Sequence, residues 1–243
     1  MRNRLILLPG WGLGTAPLQP LADALSGIDP HLLVQVEPLP TLTSSDPADW
    51  LDELDANLPE DAWLGGWSLG GMLAAALAER RGEGCPGLLT LASNLSFVAE
   101  PDWPTAMPGE TFDAFMQSCA ADAQATLKRF ALLCAQGAAD ARSLSRQLQA
   151  SARTVQADIL LAGLEVLAAL DTRTAVEQFV GPQLHLFAGS DALVPADAAQ
   201  ALLALVSDVE VGLIEEVSHA FILERPHEIA AAIQAFLHEA RDD

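Results

Sequence analysis

Short runs of apolar residues alternate with longer amphipathic stretches along most of the chain. The short runs are typical of buried β-strands, and the amphipathic stretches are typical of helices. This alternation predicts an α/β fold with a mainly parallel sheet and helices on both faces. Strands are predicted near residues 4–8, 33–36, 62–66, 87–92, 183–188 and 209–214, and helices near 17–26, 47–57, 69–81, 195–206 and 226–240.

The turn between the third predicted strand and the next helix contains the motif Gly66-Trp67-Ser68-Leu69-Gly70. Glycines on both sides of the serine let the backbone bend sharply, so that the hydroxyl projects from the edge of the sheet. The same Gly-x-Ser-x-Gly pattern also arises by chance in Gly-rich turns of other α/β proteins. Ser68 is therefore a candidate nucleophile whose assignment depends on finding an acid and a base further along the chain.

His219 is the candidate base among the five histidines. It follows the last predicted strand and precedes a helix that begins near Pro226, which places it on a loop at the carboxyl end of the sheet. An imidazole there can accept the proton of a serine on a neighbouring strand. Strand, turn or solvated helix-face positions are predicted for the remaining histidines, His185, His31, His227 and His238.

Asp191 is the candidate acid because it follows the preceding strand, on the loop after residue 188. Its carboxylate would hold the imidazole in the productive tautomer. A turn or capping role is the alternative for Asp191, although Asp197 suits that role better. Glu215 and Glu216 are rival acids, but they lie in the same loop as His219 itself.

An oxyanion requires two backbone N–H donors, one from the residue after the nucleophile and one from a loop after an early strand. Leu69 provides the first. The loop after the first strand contains Gly10, Trp11, Gly12 and Gly14, and Trp11 provides the second. This loop lacks the Gly-x-Gly-x-x-Gly spacing, so dinucleotide binding is not expected.

The strand pattern is absent from residues 101–170. We therefore expect a core formed by residues 1–100 and 171–243, with residues 101–170 inserted as a helical lid over the serine. The insertion is predicted to contain helices at Glu110–Cys119, Asp122–Gln136, Ala139–Ser151 and Ala157–Leu170.

The insertion is also rich in positive charge. The chain has a formal net charge of −21, yet residues 123–157 contain five cations and a single acid, Asp140. The excess predicts a patch for an acidic partner, with ordinary solvated helix faces as the alternative. The five cations are Lys128, Arg129, Arg142, Arg146 and Arg153.

Composition narrows the class of protein. At 243 residues the chain can bury one large core with one insertion. The three cysteines (Cys85, Cys119 and Cys134) have no metal-ligand spacing and suggest reduced thiols. We thus expect a cytoplasmic protein without metal or organic cofactor. The negative charge argues against nucleic acid or anionic membrane as partners, and no apolar run approaches the roughly 20 residues that span a bilayer.

Several motifs resemble the family of pimeloyl-[acyl-carrier protein] methyl ester esterases of biotin synthesis, which have the α/β-hydrolase fold. The resemblance covers nearly the whole chain, and its motifs within the insertion are more specific than the serine turn. The similar segments are Leu8–Leu13, Gly65–Gly71, Leu89–Ser93, Asp102–Pro104, Arg129-Phe130, Asp140–Arg142, Gly189–Pro195 and Ser218–Phe221.

This resemblance implies hydrolysis of the methyl ester of a pimeloyl chain on acyl-carrier protein. It implies carrier contacts at Arg129 and Arg142, to which the charge pattern adds Arg146. Substrate contacts are implied for Trp11, Ser68, Leu69, Phe130, Ala131, Leu132, Leu133, Cys134 and His219.

The chain departs from the family pattern at several points. Pro9 stands where many relatives have a histidine, and Ala125 stands where the family has its first lid arginine. The N-terminal hairpin that usually precedes the first strand is missing. A general short-acyl esterase and a non-catalytic binder with the same fold are the alternatives. We expect a monomer.

Overall fold

The computed structural model describes residues 3–151 and 155–242 and contains a six-stranded sheet with the order β2-β1-β3-β4-β5-β6. All five strand pairings are parallel. Each strand lies within one residue of its predicted bounds, so the predicted fold class is confirmed. The strands are β1 (Asn3–Leu8), β2 (Leu32–Val36), β3 (Trp63–Trp67), β4 (Leu88–Leu91), β5 (Gln183–Ala188) and β6 (Glu210–Ile214).

The central strands are apolar on both faces because helices cover both faces of a parallel sheet. Residues 5–8 of β1 are fully buried, and every residue of β3, β4 and β5 is buried. The edge strand β6 is partly exposed along its length. The sheet therefore forms the centre of the hydrophobic core.

The helices around the sheet fall into two groups: α1 packs against α11, and α3 packs against α2 and α8. No helix among residues 3–151 and 155–242 is long and apolar enough to cross a membrane. The bounds are α1 (Gln19–Ile28), α2 (Pro47–Asn57), α3 (Leu69–Arg81), α4 (Gly109–Ala121), α5 (Ala123–Ala135), α6 (Ala141–Ser151), α7 (Ala157–Ala169), α8 (Arg173–Gln178), α9 (Asp197–Leu205), α10 (Phe221–Glu224) and α11 (Pro226–Asp242).

Local sequence signals explain where some helices begin and why two short helices were not predicted. The Asp46 carboxylate caps α2 by accepting from the Ala48 N–H, at 2.9 Å. Helix α9 begins at Asp197, two residues after the start predicted near Pro195, and that aspartate does not cap it. The sequence pattern did not predict α8 or α10, because these helices are too short to show the hydrophobic periodicity of a helix.

Helices α4 to α7 occupy the chain between β4 and β5, where the sequence predicted only helices. An ionic cluster joins the two ends of this insertion. Arg173 bonds Asp171 at 2.6 Å and Asp102 at 2.9 Å, and its guanidinium lies over the Trp103 ring. The Thr172 N–H donates to the Leu95 carbonyl at 2.7 Å. These contacts fasten the insertion where it leaves and rejoins the core.

Candidate active site

Ser68 lies on the turn between β3 and α3 with a φ of 56° and a ψ of −123°. This conformation is strained for a residue with a side chain, and such strain is typical of functional turns. The flanking glycines are required by space. A Cβ on Gly66 would lie 2.2 Å from the Gly70 carbonyl, and a Cβ on Gly70 would lie 2.3 Å from the Leu8 oxygen.

The structure joins the predicted base and acid directly. His219 Nδ1 lies 2.7 Å from Asp191 Oδ2, and the exposed fractions of the two side chains are 0% and 1%. The other carboxylate oxygen of Asp191 accepts from the N–H groups of Leu193 and Val194, at 2.8 and 3.0 Å. The aspartate therefore shapes its own turn and holds the imidazole at the same time.

The three candidates meet at the carboxyl edge of the sheet, since Ser68 follows β3, Asp191 follows β5 and His219 follows β6. Trp67, next to Ser68, has its ring 5.5 Å from the imidazole between centroids. His219 Nε2 is buried and has no hydrogen-bond partner in the described part of the chain. A ring nitrogen that no other group occupies is available to act as a general base for a serine within hydrogen-bond reach.

The two candidate oxyanion donors lie beside the serine. Leu69 is the first residue of α3, and the first N–H groups of a helix have no acceptor within it. The loop that carries Trp11 passes closely over the nucleophile, because a Cβ on Gly10 would lie 3.3 Å from Ser68 Cβ. Among the described residues, no backbone carbonyl accepts from the Trp11 N–H.

An apolar cavity of about 480 Å³ lies between the insertion and the core. Its walls come from α4, α5, α7 and the loop after Asp191. Trp11 adjoins this wall: its ring makes edge contacts with Phe115 and Phe130 at 5.7 and 5.0 Å between centroids. The lining includes Phe112, Phe115, Arg129, Phe130, Leu133 and Leu193.

Residues 130–134 were predicted to contact substrate. Some of their side chains face the cavity or the core, and one faces the solvent. Phe130 and Leu133 line the cavity, and Ala131 and Cys134 are fully buried. Leu132 instead points outward, with 55% of its surface exposed. Burial and the nearby Asp191 carboxylate raise the pKa of the Cys134 thiol well above its usual value, so this thiol stays protonated.

The predicted carrier contacts Arg129, Arg142 and Arg146 are exposed, and among the described residues none forms an ion pair. Arg129 also lines the cavity. Arg146 donates to the Arg142 carbonyl at 3.3 Å, which places both on one side of α6. Arg153 lies outside the described residues.

Sequence reasoning missed the side chains that surround the base. The Trp67 indole N–H donates to the His219 carbonyl, and Glu224 accepts from Ser218. No motif identifies such bonds, because they join residues that are adjacent only in the folded chain. His185, by contrast, is the strand residue that the pattern predicted; burial lowers its pKa to about 3, and it bonds Thr90 at 2.7 Å.

Comparison with known proteins defines the class first. Residues 5–232 match the alpha/beta hydrolase family. A hydrolase from Oleispira antarctica superposes with a TM-score of 0.83 at 14% identity, covering 100% of this chain and 92% of that one. A bromoperoxidase from Bacillus anthracis gives 0.82 at 19% identity, covering 98% and 92%. The chain belongs to the alpha/beta hydrolase family.

Curated relatives define the group within this family. The pimeloyl-[acyl-carrier protein] methyl ester esterase of Serratia marcescens is 30% identical, over 96% of this chain and 93% of its own length. The Aromatoleum aromaticum protein of that name is 33% identical, over 96% and 97%. The biotin biosynthesis bifunctional protein BioHC of Cellvibrio japonicus is 37% identical over 97% of this chain, which spans only 47% of that relative. The family resemblance drawn from the motifs is confirmed: the chain groups with the pimeloyl-[acyl-carrier protein] methyl ester esterases.

Proposed function

We propose that this chain is a serine carboxylesterase of biotin biosynthesis. Its substrate would be the methyl ester of a pimeloyl chain bound to acyl-carrier protein, and its products the free carboxylate and methanol. The observation that carries the proposal is the buried His219–Asp191 pair, 2.7 Å apart, at the sheet edge where Ser68 stands on a strained turn. Relatives that this chain covers almost end to end bear the name of this reaction.

In the proposed mechanism Ser68 Oγ attacks the ester carbonyl while His219 Nε2 takes its proton. Asp191 holds Nδ1 and stabilises the imidazolium that forms. The N–H groups of Trp11 and Leu69 stabilise the oxyanion. Methanol leaves with the proton from His219, and water then repeats the cycle on the acyl-enzyme. Apart from the substrate and water, every group in this mechanism belongs to the protein.

We assign the acyl chain to the cavity of about 480 Å³ under the insertion. Its walls are mainly aliphatic and aromatic, which suits the methylene groups of a pimeloyl chain. The insertion thus acts as the lid of the site, and Phe130 and Leu133 are its acyl contacts. Leu132 is exposed on the outer surface of the same helix and would contact the carrier rather than the acyl chain.

The carrier would dock on the outer face of α5 and α6. Arg129, Arg142 and Arg146 are exposed there, and none of them pairs with an acid in the part of the chain that the structure describes. The whole chain has a formal net charge of −21. An acidic carrier is repelled by the molecule at long range and can approach only where that repulsion is locally reversed. Arg129 belongs both to this patch and to the cavity lining, so the carrier-bound chain would enter the cavity beside it.

Steady-state kinetics on pimeloyl methyl ester, free and carrier-bound, tests the proposal. We expect a higher kcat/KM for the carrier-bound ester, through a lower KM. Equal kcat/KM values for the free and the carrier-bound ester, together with a preference for short acyl esters, would instead support a general esterase. Failure of a fluorophosphonate to label Ser68 would support a non-catalytic binder. The cytoplasmic location, the monomeric state and the lack of a cofactor stay predictions.

A further inference from the structure

The loop that carries His219 is fastened on both sides of that residue. The His219 carbonyl accepts a hydrogen bond from the Trp67 indole N–H at 2.9 Å. One residue earlier, Ser218 donates twice to a single oxygen of Glu224, from its N–H at 2.8 Å and its hydroxyl at 2.6 Å. One residue later, the Ala220 N–H donates to the Cys134 carbonyl at 3.1 Å.

We infer that Trp67 and Glu224 are positioning residues, which hold the main chain of His219 so that its imidazole keeps one place relative to Ser68. The inference rests on the proposed function. Trp67 is covalently joined to Ser68 and fully buried. Its indole therefore ties the base to the nucleophile turn directly, without relying on the two strands that separate β3 from β6.

The side-chain contacts of His219 explain why its main chain must be held. Asp191 bonds only Nδ1, so the direction of the opposite ring edge also depends on where the main chain of His219 lies. Nε2, the atom that takes the proton, has no partner among the described residues. The loop also includes Glu216 at a φ of 58°, a left-handed conformation that persists only when its surroundings impose it. The bonds from Trp67 and Glu224 are such surroundings.

Neither residue is placed to take part in the chemistry. The Glu224 carboxylate accepts from Ser218 rather than from the imidazole, and the Trp67 indole N–H donates to the His219 carbonyl. Both act through the position of His219. A displacement of about 1 Å in a catalytic group can cost on the order of 100-fold in rate. We therefore expect loss of either bond to lower kcat about 10- to 100-fold, with KM changed less than about twofold.

The test compares W67F, which removes the indole N–H and keeps an aromatic ring, with E224A and E224Q. Gln at 224 keeps an oxygen acceptor for Ser218 and should restore most of the activity lost in E224A. W63F is the control for lost indole volume, since Trp63 lies in the same strand as Trp67 and packs on Phe236 of α11. E228A is the control for a lost glutamate, because Glu228 is exposed and pairs only with Arg225 among the described residues.

Activity is measured on a p-nitrophenyl short-chain ester and divided by the active sites titrated with a fluorophosphonate. The low-field NMR resonance of the His219 Nδ1 proton is recorded without substrate. We expect kcat per active site to fall in W67F and E224A, with that resonance shifted or broadened, and to be unchanged in W63F and E228A.

A wild-type kcat per active site in both variants, with an unmoved resonance, would overturn the inference. So would a loss of equal size in the two controls, which would make the effect one of general stability. Because the resonance requires no substrate, it reports on positioning even if the proposed esterase reaction is refuted.

Discussion

The sheet edge and the helical insertion contribute to the site in different ways. At the sheet edge, directional bonds hold the reactive groups: Asp191 bonds His219 at 2.7 Å and also accepts from Leu193 and Val194. Beside the cavity, the insertion meets the core through ring contacts, namely those of Trp11 with Phe115 and Phe130. Directional bonds fix the position of atoms, whereas apolar packing fixes mainly a volume. Under the proposed function, the core would set the chemistry and the insertion would set which acyl chains reach it.

Hydrogen bonds also link the two regions. The Trp11 indole donates to the Leu160 carbonyl of α7 at 2.8 Å, and the Ala220 N–H donates to the Cys134 carbonyl of α5. Each bond joins the insertion to a residue that lies at or beside the site. A change in the insertion can thus shift the positions of the candidate catalytic groups. The two regions have separate roles if core variants change mainly kcat and insertion variants change mainly KM.

The largest effect is expected from removal of the nucleophile. Ser68→Ala should lower the turnover of a p-nitrophenyl short-chain ester by about 10⁴-fold or more, because no other side chain on the turn can attack the carbonyl. Melting temperature should change little. Retention of a tenth of the wild-type kcat would refute the role of Ser68.

Replacement of the acid should have the next largest effect. Asp191→Asn should lower kcat by roughly 10³- to 10⁴-fold, because an amide favours the wrong tautomer of His219. Asparagine keeps an oxygen that can still accept from Leu193 and Val194, so the turn should survive. Glu215→Gln is the matched control, and a larger loss there than in the Asp191 variant would transfer the acid role to Glu215.

A charge reversal in the insertion should affect one substrate only. Arg142→Glu should lower kcat/KM for the carrier-bound ester about tenfold, and added salt should weaken use of that ester by the wild type. Hydrolysis of a small neutral ester should stay the same.

Arg80→Glu makes the same change in net charge on α3, where Arg80 is partly exposed and pairs with Asp52 and Asp55. Exposed pairs of this kind contribute little to stability. The Arg80 variant should leave both substrates unaffected. Equal losses on both substrates in the Arg142 variant would mean that this arginine only supports the insertion.

The smallest effect concerns the stability of the core rather than catalysis. Burial lowers the pKa of His185 from 6.5 to about 3 in the folded chain. The unfolded chain therefore takes up a proton first as pH falls below 6.5, and the stabilising contribution of the neutral ring is lost progressively towards pH 3. His185→Gln should make the melting temperature less dependent on pH between 7 and about 5, with kcat per active site unchanged. An identical pH slope in wild type and variant would show that this ring is not responsible.

The sequence predicted the core well because its local signals agree with the final fold. Apolar runs marked all six strands to within one residue, and the helical patterns predicted α2 and α3 at their observed bounds. The sequence pattern did not predict α8 and α10, because these helices are too short to show the hydrophobic periodicity of a helix. At Pro195 the chain forms a turn before α9 begins. These are the positions where neighbouring elements, and not local preference, decide the conformation.

What the sequence by itself determined is the order of the reactive residues: a serine on a Gly-flanked turn, an aspartate after β5 and a histidine after β6. Parallel strands bring such loops to one edge, so the candidate site follows from that order. Only the tertiary structure decided which side chains hold the base, which face of α5 lines the cavity and which face is exposed. Trp67 and His219 are far apart along the chain, and no local pattern encodes a bond between them. Contacts of this kind depend on the packing of whole elements, which exists only in the folded molecule.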